Sequence, residues 1–435
     1  MSNQINLDIS NFGAIENAHI ELKRLNVIAG INGSGKSTSS KLLYCFLASN
    51  SSEGTYLANK SINDRFIPLL ENLEEKLELD SNLPEIKKVI NNLPKLTDKN
   101  YNSKLNAEIR SLKRILNNCQ IKNKNKFLEQ IREIEYGLEL NKSEHRKYFN
   151  VSNFLLSSEF NFHDLELYNN TKIKFFGKGE DCEFSHEIKS DNEKIGFKIN
   201  EGLPKCLNFE NIIYIDSQSI FDIKYSEYSS IPYLPYHLRV LFKILNSPKR
   251  EDVYDQEFNR KLDEFKDKFQ NLMKGHIFYD DKTNEFLFKK DNKNYSMKNT
   301  ASGVKQLGIL QMLISKRLLT KDSFLIMDEP EVNLHPDWQV KFAKIIVLMV
   351  KELGISLYIN SHSPQFIESL EVYSAKYGLI NESKFYLSKE IEQEIEKYEF
   401  KEVKRKNLNL LYDDLGNPYD EIDKIRIENV FNGIK

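Results

Sequence analysis

Apolar and polar residues alternate from Ile5 to Phe12 and again from Ala18 to Leu22, the period of two expected of half-buried strands. The run Leu25-Asn26-Val27-Ile28-Ala29 reads as a fully buried strand and residues 37–49 as the helix that follows it. Further buried strands are expected at 211–215, at Phe324-Leu325-Ile326-Met327 and at 355–360. A strand pair around a polar turn is expected over 276–281 and 284–288, and an apolar helix from about 307 to 319. Between the first strands and the rest, residues 51–206 shift towards Lys, Glu, Asn and Leu. Helical patterning there covers 59–79, 84–92, 105–118 and 125–149, broken at Pro84 and Pro94. No heptad run is sustained, so a short bundle or hairpin is expected instead of long coiled-coil arms. Alternating runs such as Lys172-Ile173-Lys174-Phe175-Phe176 then predict a small antiparallel sheet.

Composition narrows the class of molecule. With 435 residues, 40% hydrophobic and 29% charged, the chain can bury a large core and divide into two or three domains. No apolar run approaches the roughly 20 residues of a membrane-spanning helix, and the N-terminus is too polar for a secretory signal, so a cytoplasmic location and no membrane partner are expected. Cys45, Cys119, Cys182 and Cys206 form no Cys-x-x-Cys pair, and neither a disulfide framework nor a zinc site is expected. The net charge of −2 supplies no global basic field, so nucleic acid, left open as a partner, would need a local patch. Residues 101–150 hold more Lys and Arg than Asp and Glu, which fits phosphate contact or, more simply, a solvated helix face.

The chemistry begins at Gly30-Ile31-Asn32-Gly33-Ser34-Gly35-Lys36-Ser37, which fits G-x-x-x-x-G-K-[ST] at every fixed position on a strand-to-helix turn. Glycines there let backbone N–H groups curl around a β-phosphate at the positive end of a helix. Lys36 is expected to reach the β- and γ-phosphates and Ser37 to coordinate Mg²⁺. Asn32, Ser34 and Thr38 complete the expected nucleotide contacts. Downstream, the strand at Phe324–Met327 ends in Asp328-Glu329-Pro330-Glu331, a Walker B pattern. Asp328 would hold the metal and Glu329 would orient the attacking water. The strand at 355–360 runs into Ser361-His362-Ser363-Pro364, placing His362 where it could meet the γ-phosphate or that water. Asn299-Thr300-Ala301-Ser302-Gly303-Val304-Lys305-Gln306 precedes an apolar helix; Ser302 and Gly303 read as its N-cap or as a second anion-binding terminus. Asn11-Phe12 could lie beside an adenine, although a core phenylalanine is the simpler reading.

In this order, phosphate loop, S-G-x-K-Q, D-E-P-E-x-x-L-H-P and S-H-S-P, the set resembles the soluble branch of the ATP-binding-cassette (ABC) class of AAA-type ATPases. That branch includes SMC and RecF-type repair ATPases, the OLD family and the PtuA-like ATPases of antiphage systems. Glu331-Val-Asn-Leu-His-Pro-Asp-Trp338 resembles the OLD and PtuA-like form more than the transporter form. The resemblance covers roughly 1–50 and 207–390 and implies an α/β P-loop head, an antiparallel β lobe joined to a mainly parallel core sheet. On this reading 1–50 carries Walker A, 51–206 is a helical insertion with a small β segment, 207–390 holds the remaining motifs and 391–435 is a C-terminal extension. It further implies that Gly30, Gly33, Gly35 and their neighbours bind ATP, that Glu329 is the catalytic base, His362 the switch histidine and Gln218 the Q-loop glutamine. Ser302, Gly303 and Lys305 would be the signature that completes the site of an opposing copy, with Asn333 to His335 as the D-loop between them. Two copies would then sandwich two ATP molecules as a homodimer or part of a higher oligomer.

Function follows as a set of expectations. The leading one is an ATPase that dimerises around ATP and regulates a separately encoded effector, such as an HNH nuclease or a toxin, in bacterial antiphage defence. The alternatives are a RecF- or SMC-like repair ATPase that binds DNA directly, a transporter ATPase subunit, and a self-contained nuclease. The last is disfavoured because a TOPRIM domain needs about 100 residues, more than follow His362. Tyr412-Asp-Asp-Leu-Gly-Asn-Pro418 reads as a turn and not as a metal site.

Overall fold

A computed structural model describes residues 4–431 apart from 78–82, 97, 99, 119–123, 161–169, 180–181, 192–193, 203, 205, 208, 217, 222–233, 250–255, 281, 284 and 393–395. The described chain divides into two compact units, residues 46–155 and the remainder.

The larger unit begins with β1 (Gln4–Phe12), β2 (Ile15–Leu22) and β3 (Leu25–Ala29), the last buried at every position. Helix α1 (Lys36–Ser49) follows and carries the chain into the helical unit. There α2 (Ser52–Lys76), α3 (Leu83–Asn91), α4 (Tyr101–Asn118), α5 (Lys124–Lys142) and α6 (Glu144–Phe160) succeed one another. The helix expected over 125–149 is two helices, parted near Ser143. Phe66, Leu73, Leu105, Leu112, Ile131 and Leu138 recur at helical spacing and meet in one buried cluster. Ser51 caps α2 by accepting from the Glu53 N–H at 3.2 Å.

Helix α6 returns the chain to the larger unit. There β4 (Lys172–Lys178), β5 (Phe184–Asp191) and β6 (Lys194–Glu201) form an antiparallel meander. These strands were expected to make a small sheet of their own. Instead β4 pairs with β1, because the Phe175 face continues the buried face of Leu7 and Ile9 and so gains a partner. Cys182 and Cys206 are joined in a disulfide with Cα atoms 5.2 Å apart, which corrects the expectation of unpaired thiols. The pairing is made by tertiary proximity that local Cys spacing does not encode. Cys45 is buried and in no disulfide, and Cys119 lies outside the described residues.

The chain continues through β7 (Asn211–Ile215), α7 (Tyr236–Asn246), α8 (Gln256–Met273) and a separate sheet of β8 (His276–Asp280), β9 (Glu285–Lys290) and β10 (Lys293–Ser296). It ends with α9 (Ser302–Ser315), β11 (Ser323–Asp328), α10 (Pro336–Leu353), β12 (Ser356–Ser361), α11 (Pro364–Lys376), β13 (Ser383–Glu390), β14 (Tyr398–Glu402) and α12 (Leu410–Phe431). Residues 412–418, expected as a turn, lie within α12, so the Gly and Pro there do not stop the backbone helix.

The main sheet runs β6-β5-β4-β1-β2-β14-β13-β3-β12-β11-β7. The β6-to-β2 half is antiparallel, and β3, β12, β11 and β7 are mutually parallel. This is the α/β P-loop architecture expected, with lobe and core fused in one continuous sheet. Two helices start where a polar residue precedes proline: His335 accepts from the Asp337 N–H before Pro336, and Ser363 from the Phe366 N–H before Pro364. Among the described residues no helix is long and apolar enough to cross a membrane.

Phe66 has no exposed surface in the helical core, so Phe66→Ala is expected to cost that unit about 3–5 kcal/mol. A lowered urea midpoint by far-ultraviolet circular dichroism would show it; an unchanged midpoint would mean the cluster contributes little.

Candidate nucleotide site

The core strands β3, β12, β11 and β7 lie side by side and parallel, so their C-terminal ends share one edge. In open α/β sheets ligands collect at that edge. β3 delivers the phosphate loop, β12 delivers Asn360 to His362, β11 delivers Asp328 and Glu329, and β7 delivers Asp216. The result is a cleft of about 500 Å³ lined by Asn32 to Thr38, Lys41, Asp216, Asp328 and Glu329.

The loop takes its shape from glycine. Gly33 and Gly35 have φ of +80° and +87°, a left-handed region that costs other residues energy, and a Cβ on Gly35 would fall 2.5 Å from Ile15 Cγ1. The Gly30 N–H donates to the Ser361 carbonyl at 3.2 Å, which ties the loop to β12. Lys36 is 4% exposed, and its ammonium donates to the Gly30 and Ile31 carbonyls at 2.9 and 2.7 Å, folding back on its own loop. Burial pulls its pKa down, with Glu329 and Asp328 partly opposing.

Asp328 is held on both oxygens: Asn360 Nδ2 donates to Oδ1 at 2.9 Å and the Tyr214 hydroxyl to Oδ2 at 3.3 Å. Ser37 also hydrogen-bonds this carboxylate. Burial nevertheless pushes its pKa up, because neutral donors repay only part of the lost hydration. Glu329 has a left-handed φ of +48°, a conformation that costs a non-glycine residue about 1–3 kcal/mol and concentrates at functional sites. Its N–H donates to the Asn360 carbonyl at 2.9 Å, which anchors the kink. The kink brings Glu329 Oε1 to 3.1 Å from His362 Nδ1 and 3.8 Å from Lys36 Nζ. His362 is the main cause that lowers the Glu329 pKa, and Glu329 in turn raises that of His362.

The expected residues therefore separate into two places. Gly30, Asn32, Gly33, Ser34, Gly35, Lys36, Ser37, Thr38, Asp328, Glu329 and His362 come together at the edge. Ser302, Gly303 and Lys305 do not line the cleft; they open α9, which starts earlier than expected. Its N-cap is Ala301, which makes no side-chain cap, so Ser302 is the first helical residue and not the cap. A Cβ on Gly303 would sit 2.8 Å from the Asn333 carbonyl, so this glycine lets the helix start lie against the loop after Asp328-Glu329. Gln218 opens a short 3₁₀ turn after β7, and its side chain lies outside the described residues. Phe12 is buried edge-to-face on Phe160 with ring centroids 5.3 Å apart, the core position that was the simpler reading.

Residues 5–367 match a family model described as AAA ATPase domain. The chain belongs to this family. Solved structures similar to this AAA ATPase chain include the SMC head domain from Thermotoga maritima (11% identity, 92% of this chain and 99% of that one, TM-score 0.39). An Smc head with an extended coiled coil bound to the C-terminal domain of ScpA from Pyrococcus furiosus is 10% identical (98% and 100% covered, TM-score 0.42). The ATP-binding cassette of an ABC transporter in its ADP conformation is 11% identical (95% and 96%, TM-score 0.33). No curated protein matches the sequence.

The structure of this AAA ATPase chain also shows a buried cluster that the motifs do not contain. The His237 ring, with no side-chain exposure, has Nδ1 2.6 Å from Glu159 Oε2 and Nε2 3.0 Å from Asp216 Oδ2. Burial opposes a charged imidazole, but the two carboxylates outweigh it and lift the His237 pKa to about 9. The three residues lie far apart in sequence and carry no spacing signal; only Asp216, after a buried strand, stood in a stretch already singled out. Glu331, fully buried, accepts from the Ser361 hydroxyl at 2.6 Å and so braces the turn that presents His362.

Because the folded pKa of His237 lies above the ordinary 6.5, its contribution to stability is fully present below pH 6.5 and is lost as the pH rises through about 9. Wild type is expected to lose about 3 kcal/mol across that window. His237→Asn should flatten the profile of urea midpoint against pH; equal slopes in the two proteins would show that the imidazole is not charged.

Proposed function

We propose that this chain binds ATP with Mg²⁺ in the cleft, hydrolyses it, and uses the nucleotide to bring two copies together. The observation that carries the proposal is the convergence of the phosphate loop, Asp328-Glu329 and His362 on one sheet edge. The oxygen donors present fit a hard cation: the Ser37 hydroxyl already meets the Asp328 carboxylate. Bound there, Mg²⁺ would neutralise phosphate charge. Glu329, held ionised by His362 and Lys36, suits the role of base towards an attacking water, and His362 suits a hydrogen bond to the γ-phosphate. Backbone N–H groups of residues 32–37 would cradle the β-phosphate, and Lys36 would exchange its two carbonyls for phosphate oxygens.

Of Ser302, Gly303 and Lys305, which resemble an ABC signature, Ser302 is exposed at the start of α9 and open to an opposing copy, whereas Gly303 and Lys305 are buried in their own chain. In an ABC-like composite site an opposing copy would supply this helix start, with Asn333 to His335 between the two. Gln218 remains the proposed Q-loop residue. The resemblance of Glu331–Trp338 to OLD and PtuA-like loops favours a cytoplasmic ATPase that regulates a separate effector, a nuclease or toxin, in antiphage defence. The basic excess within 101–150 favours, as the second reading, direct and salt-sensitive DNA binding by the helical unit.

Lys36→Ala is expected to weaken ATP binding about 10–100-fold by equilibrium titration, the cost of losing a charge-assisted phosphate contact. Glu329→Gln should bind ATP, fail to release phosphate and double its mass by light scattering when ATP and Mg²⁺ are added. A Glu329→Gln protein whose mass is the same with and without nucleotide would sink the composite-site reading. Loss of ATP binding on Lys36→Ala together with unchanged mass would leave a single-chain site.

A further inference from the structure

Asp216 follows β7 in register with Asp328: Ile215 pairs with Met327 and Tyr214 with Ile326, so the two carboxylates occupy adjacent positions on adjacent parallel strands. Neighbouring strands lie about 4.8 Å apart, and partners in register point to the same face. Both residues line the nucleotide cleft. A carboxylate in that position repels its neighbour, and Asp216 is among the groups that raise the Asp328 pKa. Such a pair at a sheet edge is unfavourable unless positive charge or donors lie beside it, and a cation near both relieves it further.

The protein holds Asp216 in this position by a specific device. His237 Nε2 lies 3.0 Å from Asp216 Oδ2, and the opposite ring nitrogen lies 2.6 Å from Glu159 Oε2, with Glu159 itself fully buried. The His237 N–H also donates to Glu159 Oε1 at 3.0 Å, so both oxygens of this glutamate are committed to one residue. The imidazole packs against Tyr214 with ring centroids 4.5 Å apart and edge-on to Tyr44 at 6.1 Å. Tyr214 in turn donates to Asp328. One ring thus braces both carboxylates, Asp216 directly and Asp328 through Tyr214. Asp216 Oδ1 is buried and accepts no hydrogen bond among the described residues, so the carboxylate has lone pairs to give.

A carboxylate–imidazole–carboxylate row buried at all but its Asp216 end is a poor way to gain stability, because apolar residues of similar volume serve as well. Its value is in fixing one charged group where a ligand needs it. We propose that Asp216 is a further acceptor for the water shell of the metal that accompanies the nucleotide, beside Asp328, and that His237, clamped by Glu159, is the positioning residue that holds it there. The inference rests on the reading of the cleft as an ATP–Mg²⁺ site. A hard cation that keeps most of its waters is well served by carboxylates that accept from those waters without displacing them.

The test uses the full chain with Mn²⁺ in place of Mg²⁺ and a non-hydrolysable ATP analogue, free Mn²⁺ being read by electron paramagnetic resonance. Analogue affinity in EDTA is measured beside it. Asp216→Asn is expected to weaken Mn²⁺ binding at the nucleotide-loaded site at least fivefold while leaving analogue binding in EDTA within twofold. His237→Asn should weaken Mn²⁺ binding as well, and adding it to Asp216→Asn should cause no further loss, since it acts through that carboxylate. An Asp216→Asn protein with wild-type Mn²⁺ affinity would overturn the metal role. Additive losses in the double variant would overturn the positioning role. If His237→Asn does not fold, Asp216→Asn and Glu159→Gln carry the same comparison. Wild type that binds no analogue at all would instead defeat the nucleotide-site reading underneath.

Discussion

The parallel register of β3, β12, β11 and β7 is the constraint from which the site follows. Each strand contributes a short segment whose apolar residues are buried, paired on both sides except at the edge strand β7, and the strands end at nearly the same level. Groups hundreds of residues apart are therefore delivered to one edge without any loop having to search for them. Helices beginning just past that edge, α1 after the phosphate loop and α11 after His362, turn their N-terminal ends towards it. The sheet thus fixes both the positions of the side chains and the sign of the backbone field they share.

Within this frame the charges are balanced in pairs. Lys36 sits against Glu329, Glu329 against His362, and Asp328 against the neutral donors Asn360, Tyr214 and Ser37. Of the two carboxylates among them, Asp328 is the one whose ionised form burial disfavours, which marks it as the acid that gains most from a cation. Lys36 is satisfied by its own loop, so phosphate would replace existing hydrogen bonds and not fill an unmet need. The net gain on binding is then small per contact and large only in the sum over the loop, the lysine and the helix terminus.

Much of this was legible in the sequence because the relevant signals are local. A buried strand followed by glycines at fixed spacing specifies a phosphate loop, and Phe324–Met327 running into two acidic residues specifies a strand end with carboxylates. The helices of 59–149 were readable from their apolar spacing, although the break near Ser143 and the run on to Phe160 were not, since no proline or glycine marks the break. Three features escaped for a common reason: they are made by tertiary pairing. The β4–β1 pairing depends on which edge β1 leaves open, the Cys182–Cys206 bridge on where the meander returns, and the Glu159–His237–Asp216 row on three elements meeting in the core. The early start of α9 escaped for another reason: Ser302 and Gly303 read as its N-cap, whereas both lie in its first turn, with Gly303 against the Asn333 carbonyl where a Cβ would be.

That glycine also bears on how nucleotide state could be felt elsewhere in the chain. The start of α9 lies on the Asn333 carbonyl, Asn333 has a left-handed φ of +65°, and Glu329 a few residues earlier has +48°. Of the two, Glu329 is in the costlier conformation, since asparagine tolerates the left-handed region, and the hydrogen bond from its N–H to the Asn360 carbonyl holds it there. A shift of Glu329 towards a water or a phosphate would have a short path along the chain to Asn333, whose carbonyl lies 2.8 Å from where a Cβ on Gly303 would fall. The contact at Gly303 thus puts the Asp328-Glu329 strand end and the exposed Ser302 on either side of one short loop.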